Sequence, residues 1–206
     1  RSRPMVPRPP MSYLGVVSSD AAALVEPATG ERTTYADLVR SGRALASSIG
    51  ADKQVVFLAA RNNTFTATTY WGLVDAGHTV ALLDGHAPPE AMAAHVANYQ
   101  PTWLAGPIGL GDGLAGLGVG VDSIRPGSGG ELIRTLAPGR SDLHPNLAVL
   151  LTTSGTTGSR KMVRLSLRSV EANATSIAQC LSLTAEERPL TTLPFHYSFG
   201  LSVVNS

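Results

Sequence analysis

The ten residues Thr152-Thr153-Ser154-Gly155-Thr156-Thr157-Gly158-Ser159-Arg160-Lys161 hold six hydroxyl side chains, two glycines and a lysine. Hydroxyls and bare backbone N–H groups are donors that suit phosphate oxygens. Glycines let the backbone come close and form a concave nest for an anion, and Lys161 supplies a compact positive charge. Together they make a phosphate cradle. Its spacing is not that of a Walker loop, because Gly155 and Gly158 are too close together and Met162 follows the lysine. Nor is it a Rossmann fingerprint, because a strand and not a helix is expected after it. A second element, Pro194-Phe195-His196-Tyr197-Ser198-Phe199-Gly200-Leu201, brings a histidine, a tyrosine and a serine together. Around Ser198 it falls one residue short of a Gly-x-Ser-x-Gly elbow. The first glycine is missing and no Asp or His follows, which leaves a serine hydrolase as an alternative only.

The elements that carry these residues are read from periodicity and capping. Thr34, with Asp37 three residues on, opens a helix whose face is Leu38, Val39, Leu45, Ala46 and Ile49, ended by Gly50. Val55–Ala59 is a buried strand. Asn62 or Asn63 caps a helix that runs to Ala76, and His78–Leu83 is the next buried strand. Pro88-Pro89-Glu90 starts a helix to about Asn98, and Thr102–Ala105 is a strand. Helix and strand alternate, which predicts an α/β fold with a mostly parallel sheet and helices on both faces. Residues 106–146 are Gly-rich and read as a loop region with at most a short strand at Val119–Val121. Leu147–Thr152 is the strongest buried strand, the cradle follows, and Met162–Leu165 is a second strand. Ser166 or Ser169 caps a helix through Leu181, Leu190–Leu193 reads as a further strand, and a helical pattern begins beyond Pro194. No stop signal precedes Ser206, so residues 19–206 are expected to be a truncated domain behind a flexible leader, 1–18.

Composition excludes several classes. A net charge of +1 with no basic, aromatic-interleaved patch argues against nucleic acid. No apolar run approaches the ~18 residues of a membrane span. Cys180 is the lone cysteine and reads as a small buried hydrophobe. With no apolar signal segment, this predicts a cytoplasmic protein. His78, His86, His95, His144 and His196 lack metal-ligand spacing, so no metal ligand is assigned. All but His196 read as solvated or structural. Asp75 and Asp84 read as capping or solvated, Arg164 and Arg168 as solvated element ends, and Tyr70 and Trp71 as core.

Thr153–Gly158 with Lys161 resembles the Thr-Ser-Gly-(Ser/Thr)-Thr-Gly-x-Pro-Lys-Gly signature of the adenylate-forming, AMP-binding enzymes. These are the acyl- and aryl-CoA synthetases, firefly luciferases and peptide-synthetase adenylation domains. Arg160 stands at the usual Pro and Met162 at the usual Gly. Pro194–Leu201 resembles that family's Pro-Phe-His-x-x-Phe-Gly element. Weaker matches lie at Thr34–Leu38, Leu73–Gly77 and Val80–Asp84, so the resemblance spans about residue 30 to the end. It implies ATP-dependent activation of a carboxylic acid as an acyl-adenylate, then transfer to a thiol of coenzyme A or of a carrier protein's phosphopantetheine. It implies Thr153, Ser154, Gly155, Thr156, Thr157, Gly158, Ser159 and Lys161 as ligands of ATP, with Lys161 and Thr157 catalytic. Mg²⁺ is implied as a companion of ATP. His196, Tyr197 and Gly200 are implied at the acid pocket, and either His196 or Tyr197 can be its gate. The family's later motifs and C-terminal domain are not in these 206 residues, so the chain alone is expected to bind ATP weakly and not to complete the reaction. A family member that only thiolates preformed acyl-adenylate is the alternative that Arg160 and Met162 suggest. A nucleotide-binding module without catalysis is another.

Overall fold

The structure, a computed structural model, describes residues 20–139, 142–152, 161–184 and 186–206; the leader expected over residues 1–18 lies outside them. The chain enters through an antiparallel pair, β1 (Ala22–Val25) and β2 (Arg32–Thr34), which the sequence reading did not anticipate. Helix α1 (Tyr35–Ser47) starts as expected. Thr34 Oγ1 accepts from the Asp37 N–H at 3.0 Å, and Asp37 Oδ2 accepts from the Thr34 N–H in return. This reciprocal cap satisfies donors that the first turn leaves open.

There follow β3 (Val55–Ala60), α2 (Thr64–Asp75), β4 (Thr79–Asp84), α3 (Pro89–Tyr99) and β5 (Trp103–Gly106). Then come α4 (Leu110–Gly116), β6 (Val121–Gly127) and β7 (Gly130–Thr135). The chain continues with β8 (Leu147–Thr152), β9 (Met162–Ser166), α5 (Leu167–Cys180) and α6 (Ser198–Asn205). The seven strands from β3 onward form one sheet in the order β6-β7-β5-β3-β4-β8-β9. Neighbours among β5, β3, β4 and β8 run parallel, while β7 and β9 join antiparallel on either side. The expected mostly parallel α/β sheet is present. β3 and β4 lie at its centre and are apolar on both faces, as buried parallel strands must be.

Alternate residues of these strands sort into two cores. Val56, Leu58, Val80 and Leu82 meet Tyr70 and Leu73 of α2, Val170 of α5, and Phe195 and Leu201. Phe57, Ala59, Ala81 and Leu83 meet Met92 and Val96 of α3 and Leu114 of α4. Period-two alternation of a strand thus places helices on both faces.

Three expectations are corrected. Residues 106–146 are not a loop region: they hold α4 and the β6–β7 hairpin. The start of α4 carries no side-chain cap of its own. The buried carboxylate of Glu131 on β7 accepts instead from the N–H of Gly109 at 3.1 Å and of Gly111 at 2.6 Å. The hairpin closes on Ser128-Gly129, with Gly129 at φ +79°, a conformation glycine adopts without penalty. Leu190–Leu193 is not a strand. The Leu190 carbonyl accepts from the Thr192 N–H at 3.2 Å, a tight turn that breaks the strand pattern, and a side chain meets the carbonyls of Thr191 and Leu193. Cys180 is exposed at the end of α5, not buried.

Candidate active site

β3 and β4 are neighbours that send their following helices to opposite faces of the sheet, α2 to one and α3 to the other. In a doubly wound sheet that divergence opens a crevice at the carboxyl ends of the strands. Thr152 closes β8 at this edge and pairs with Met162, the first residue of β9. The connection 153–160 therefore leaves from and returns to the carboxyl edge, and a strand follows it as the sequence requires. Thr153, Ser154, Gly155, Thr156, Thr157, Gly158, Ser159 and Arg160 themselves lie outside the described residues. Lys161 is exposed at the entry to β9 and lines one end of a groove of about 940 Å³ that runs past Leu150 and Phe57 to Gln54, Thr102 and Asn146 at the opposite edge of the sheet. That groove lies on the α3 face of the sheet. The segment carrying His196 packs on the opposite, α2 face through Phe195 and Leu201, so the sheet edge is the shared ground of the two motifs.

His196 and Tyr197, left open as alternatives by the sequence, are separated by the structure. His196 is 6% exposed, whereas Tyr197 is 54% exposed and lies against it with ring centroids 4.3 Å apart. No described group bonds His196 Nδ1. Burial lowers the His196 pKa, the Asp84 carboxylate pulls the other way, and His86 adds to the lowering. The imidazole is thus biased towards its neutral form, with Asp84 and His86 of the β4 exit as its titratable neighbours. A Cβ on Gly200 would collide with the carbonyl oxygen of Pro194, so this glycine lets the first turn of α6 sit on the Pro194–Tyr197 turn. Ser198 is exposed, and its hydroxyl makes no hydrogen bond to a histidine among the described residues. His78 and His95 are buried and structural, and His86 and His144 are exposed. Asp84 caps its own turn, its Oδ1 accepting from the His86 N–H at 2.9 Å.

Asn62 was read only as one of two alternative helix caps, and the structure gives it another task. Asn63 is the cap of α2, its Oδ1 accepting from the Thr66 N–H at 2.9 Å. Asn62 Nδ2 donates to the carbonyls of Thr191 and Leu193, both at 2.9 Å, and its Oδ1 accepts from the Phe195 N–H at 3.0 Å. Two asparagines in a row was the only signal in the sequence: one was spare once the helix had its cap.

Among the described residues no group of three or more His, Cys, Asp or Glu is placed to hold a metal ion. No helix among them is long and apolar enough to cross a membrane.

The pattern of the AMP-binding enzyme family matches residues 16–206. A sulfoacetate–CoA ligase of Cupriavidus necator is 28% identical over 202 residues, covering 89% of this chain and 39% of that protein. Among solved structures, apo MatB of Rhodopseudomonas palustris superposes with a TM-score of 0.71 at 21% identity, over 90% of this chain and 40% of its own. A malonyl-CoA ligase holding methylmalonyl-CoA and AMP gives 0.68 at 22%, over 91% and 38%. The o-succinylbenzoate CoA synthetase of Bacillus subtilis with its acyl-adenylate bound gives 0.59 at 18%, over 85% and 47%. The chain thus spans about 40% of the length of the first relatives it matches. At these identities the solved structures establish a common fold, and the family pattern runs through nearly all of the sequence. The chain belongs to the AMP-binding enzyme family.

Proposed function

We propose that this protein belongs to an acid–thiol ligase that activates a carboxylic acid with ATP. The carboxylate oxygen attacks the α-phosphorus, the bond to the bridging oxygen breaks, and pyrophosphate leaves with that electron pair. The acyl group of the adenylate then passes to a thiol, and AMP departs. The observation that carries this reading is the shared sheet edge. A connection rich in hydroxyls and glycines, ending in Lys161, spans the carboxyl end of β8, and a buried histidine lies beside the carboxyl end of β4.

In this reading Thr153, Ser154, Gly155, Thr156, Thr157, Gly158 and Ser159 hold the β- and γ-phosphates of ATP by their N–H and O–H donors. Lys161 and Thr157 act in catalysis by meeting the charge that grows on the phosphoryl oxygens. Little covalent work is asked of the protein, so positioned donors supply most of the rate. His196 forms the wall of the acid pocket, kept neutral by burial so that it does not trap the carboxylate as an ion pair. Tyr197 covers it from the solvent side, and Gly200 keeps the turn that carries both close to α6. When bound, Mg²⁺ would neutralise phosphate charge. The similar proteins named as CoA ligases favour coenzyme A over a carrier protein as acceptor.

Carboxylate-dependent ATP–pyrophosphate exchange tests this, on the chain carried through its natural reading frame. The panel includes sulfoacetate, dicarboxylic, fatty, aryl and amino acids. Exchange with one class is expected, and Lys161→Ala should slow it on the order of 100-fold, as loss of one transition-state donor does. A folded protein that exchanges with no acid, yet passes supplied acyl-adenylates to a thiol, would establish the non-adenylating alternative instead.

A further inference from the structure

The hydrogen bonds of Asn62 join residues 129 and more positions apart in sequence. The groups it meets, the carbonyls of Thr191 and Leu193 and the N–H of Phe195, lie two residues apart in a stretch that pairs with no strand. One side-chain amide bonds all three. The helix beside it does not depend on this, because Asn63 supplies the cap. The preceding residue fastens the facing wall: Arg61 Nε donates to Gly85 O at 2.8 Å, and the Gly85 N–H donates to Ala60 O at 3.0 Å. Contact is close there, since a Cβ on Gly85 would lie 2.7 Å from Ala60 O. Gly85 is flanked by Asp84 and His86, the two titratable neighbours of His196.

We propose that Asn62 is a positioning residue for His196. Its amide holds the 191–195 stretch against the exit of β3, where Arg61 also holds the β4 turn, so both sides of the His196 crevice are set from one junction. Only the naming of that crevice as the acid pocket rests on the ligase reading; the geometry is testable with no substrate present.

Amide hydrogen exchange and histidine NMR titration of the chain test it. In the unaltered chain the Phe195 amide should be protected, and Asn62→Ala should speed its exchange at least about 10-fold. The same variant should raise the His196 titration towards about 6.5 as its ring gains water. His78, at the opposite edge of the sheet, should titrate unchanged. Asn63→Ala removes the α2 cap, and should lower the melting temperature without moving the His196 titration. An unprotected Phe195 amide in the unaltered chain overturns the proposal without any variant being made. So does a His196 titration that Asn62→Ala leaves in place. If His196 shifts in a protein that exchanges pyrophosphate with no acid, Asn62 keeps its role and the ligase reading fails.

Discussion

Residues 200 and 196 show how far a side chain's role can be read before its neighbours are known. The Phe-Gly pair stands out in the sequence as part of a motif, and its glycine suggests a ligand's approach. In the structure the neighbour of Gly200 is protein: the carbonyl of Pro194 fills the space a Cβ would need. This sets two effects against each other in Gly200→Ala. Helix propensity favours alanine by about 1 kcal/mol. A collision with main chain, which cannot rotate aside, costs about 1–3 kcal/mol. The collision should win, lowering the urea midpoint and displacing the Pro194–Tyr197 turn. A variant at least as stable as the original would show that the turn yields. The sequence named His196 and Tyr197 together as gate residues but did not rank them, because adjacent residues in a turn have no periodicity to assign a face.

At the scale of elements, what was legible is what is locally caused. The capping box of α1, the Asn cap of α2 and the Ser166 cap of α5 satisfy a helix end within three residues, and the Pro-led start of α3 removes an open donor. The central strands are apolar on both faces and so announce themselves. Helix α4 does neither. Its seven residues include three glycines, and its cap comes from Glu131, 20 residues after Gly111. Nothing near it in sequence announces a start. Glu131→Ala should leave two amide donors unsatisfied, a loss of about 2–4 kcal/mol, and lower the melting temperature by on the order of 10 °C. An unchanged melting temperature would mean that water replaces the carboxylate without cost. The stretch 190–193 fails in the opposite way: its local pattern is that of a strand, but both neighbours of β4 and β8 are already taken, and Asn62 meets the carbonyls of Thr191 and Leu193 instead.

At the scale of the whole molecule, burial links stability to pH. His78 at one sheet edge and His196 at the other both have pKa values lowered chiefly by burial. Unfolded, each titrates near 6.5. Above that pH both are neutral in either state and contribute no slope. As pH falls below about 6.5 the unfolded chain takes up protons that the folded chain resists, so stability declines until the folded values are reached. Asp75, raised by burial, and Asp37, lowered by its bonds to Thr34 and Arg40, act nearer the carboxylate range. The window between about pH 5 and 6.5 therefore belongs mainly to the histidines. Urea unfolding should show a lower midpoint at pH 5.5 than at pH 7.5. Equal midpoints would show that both imidazoles protonate in place.

The residue order alone carries the alternation of helix and strand, the hydroxyl- and glycine-rich connection between β8 and β9 and the family motifs, because each depends on groups a few positions apart. Only the folded chain decides which edge of the sheet those motifs share, that His196 turns inward and Tyr197 outward, and that Asn62 serves residues 191–195 while Asn63 serves the helix. These outcomes depend on contacts between parts of the chain more than a hundred residues apart. Such contacts form when the sheet brings β3, β4 and the closing helix together, and no local pattern records that.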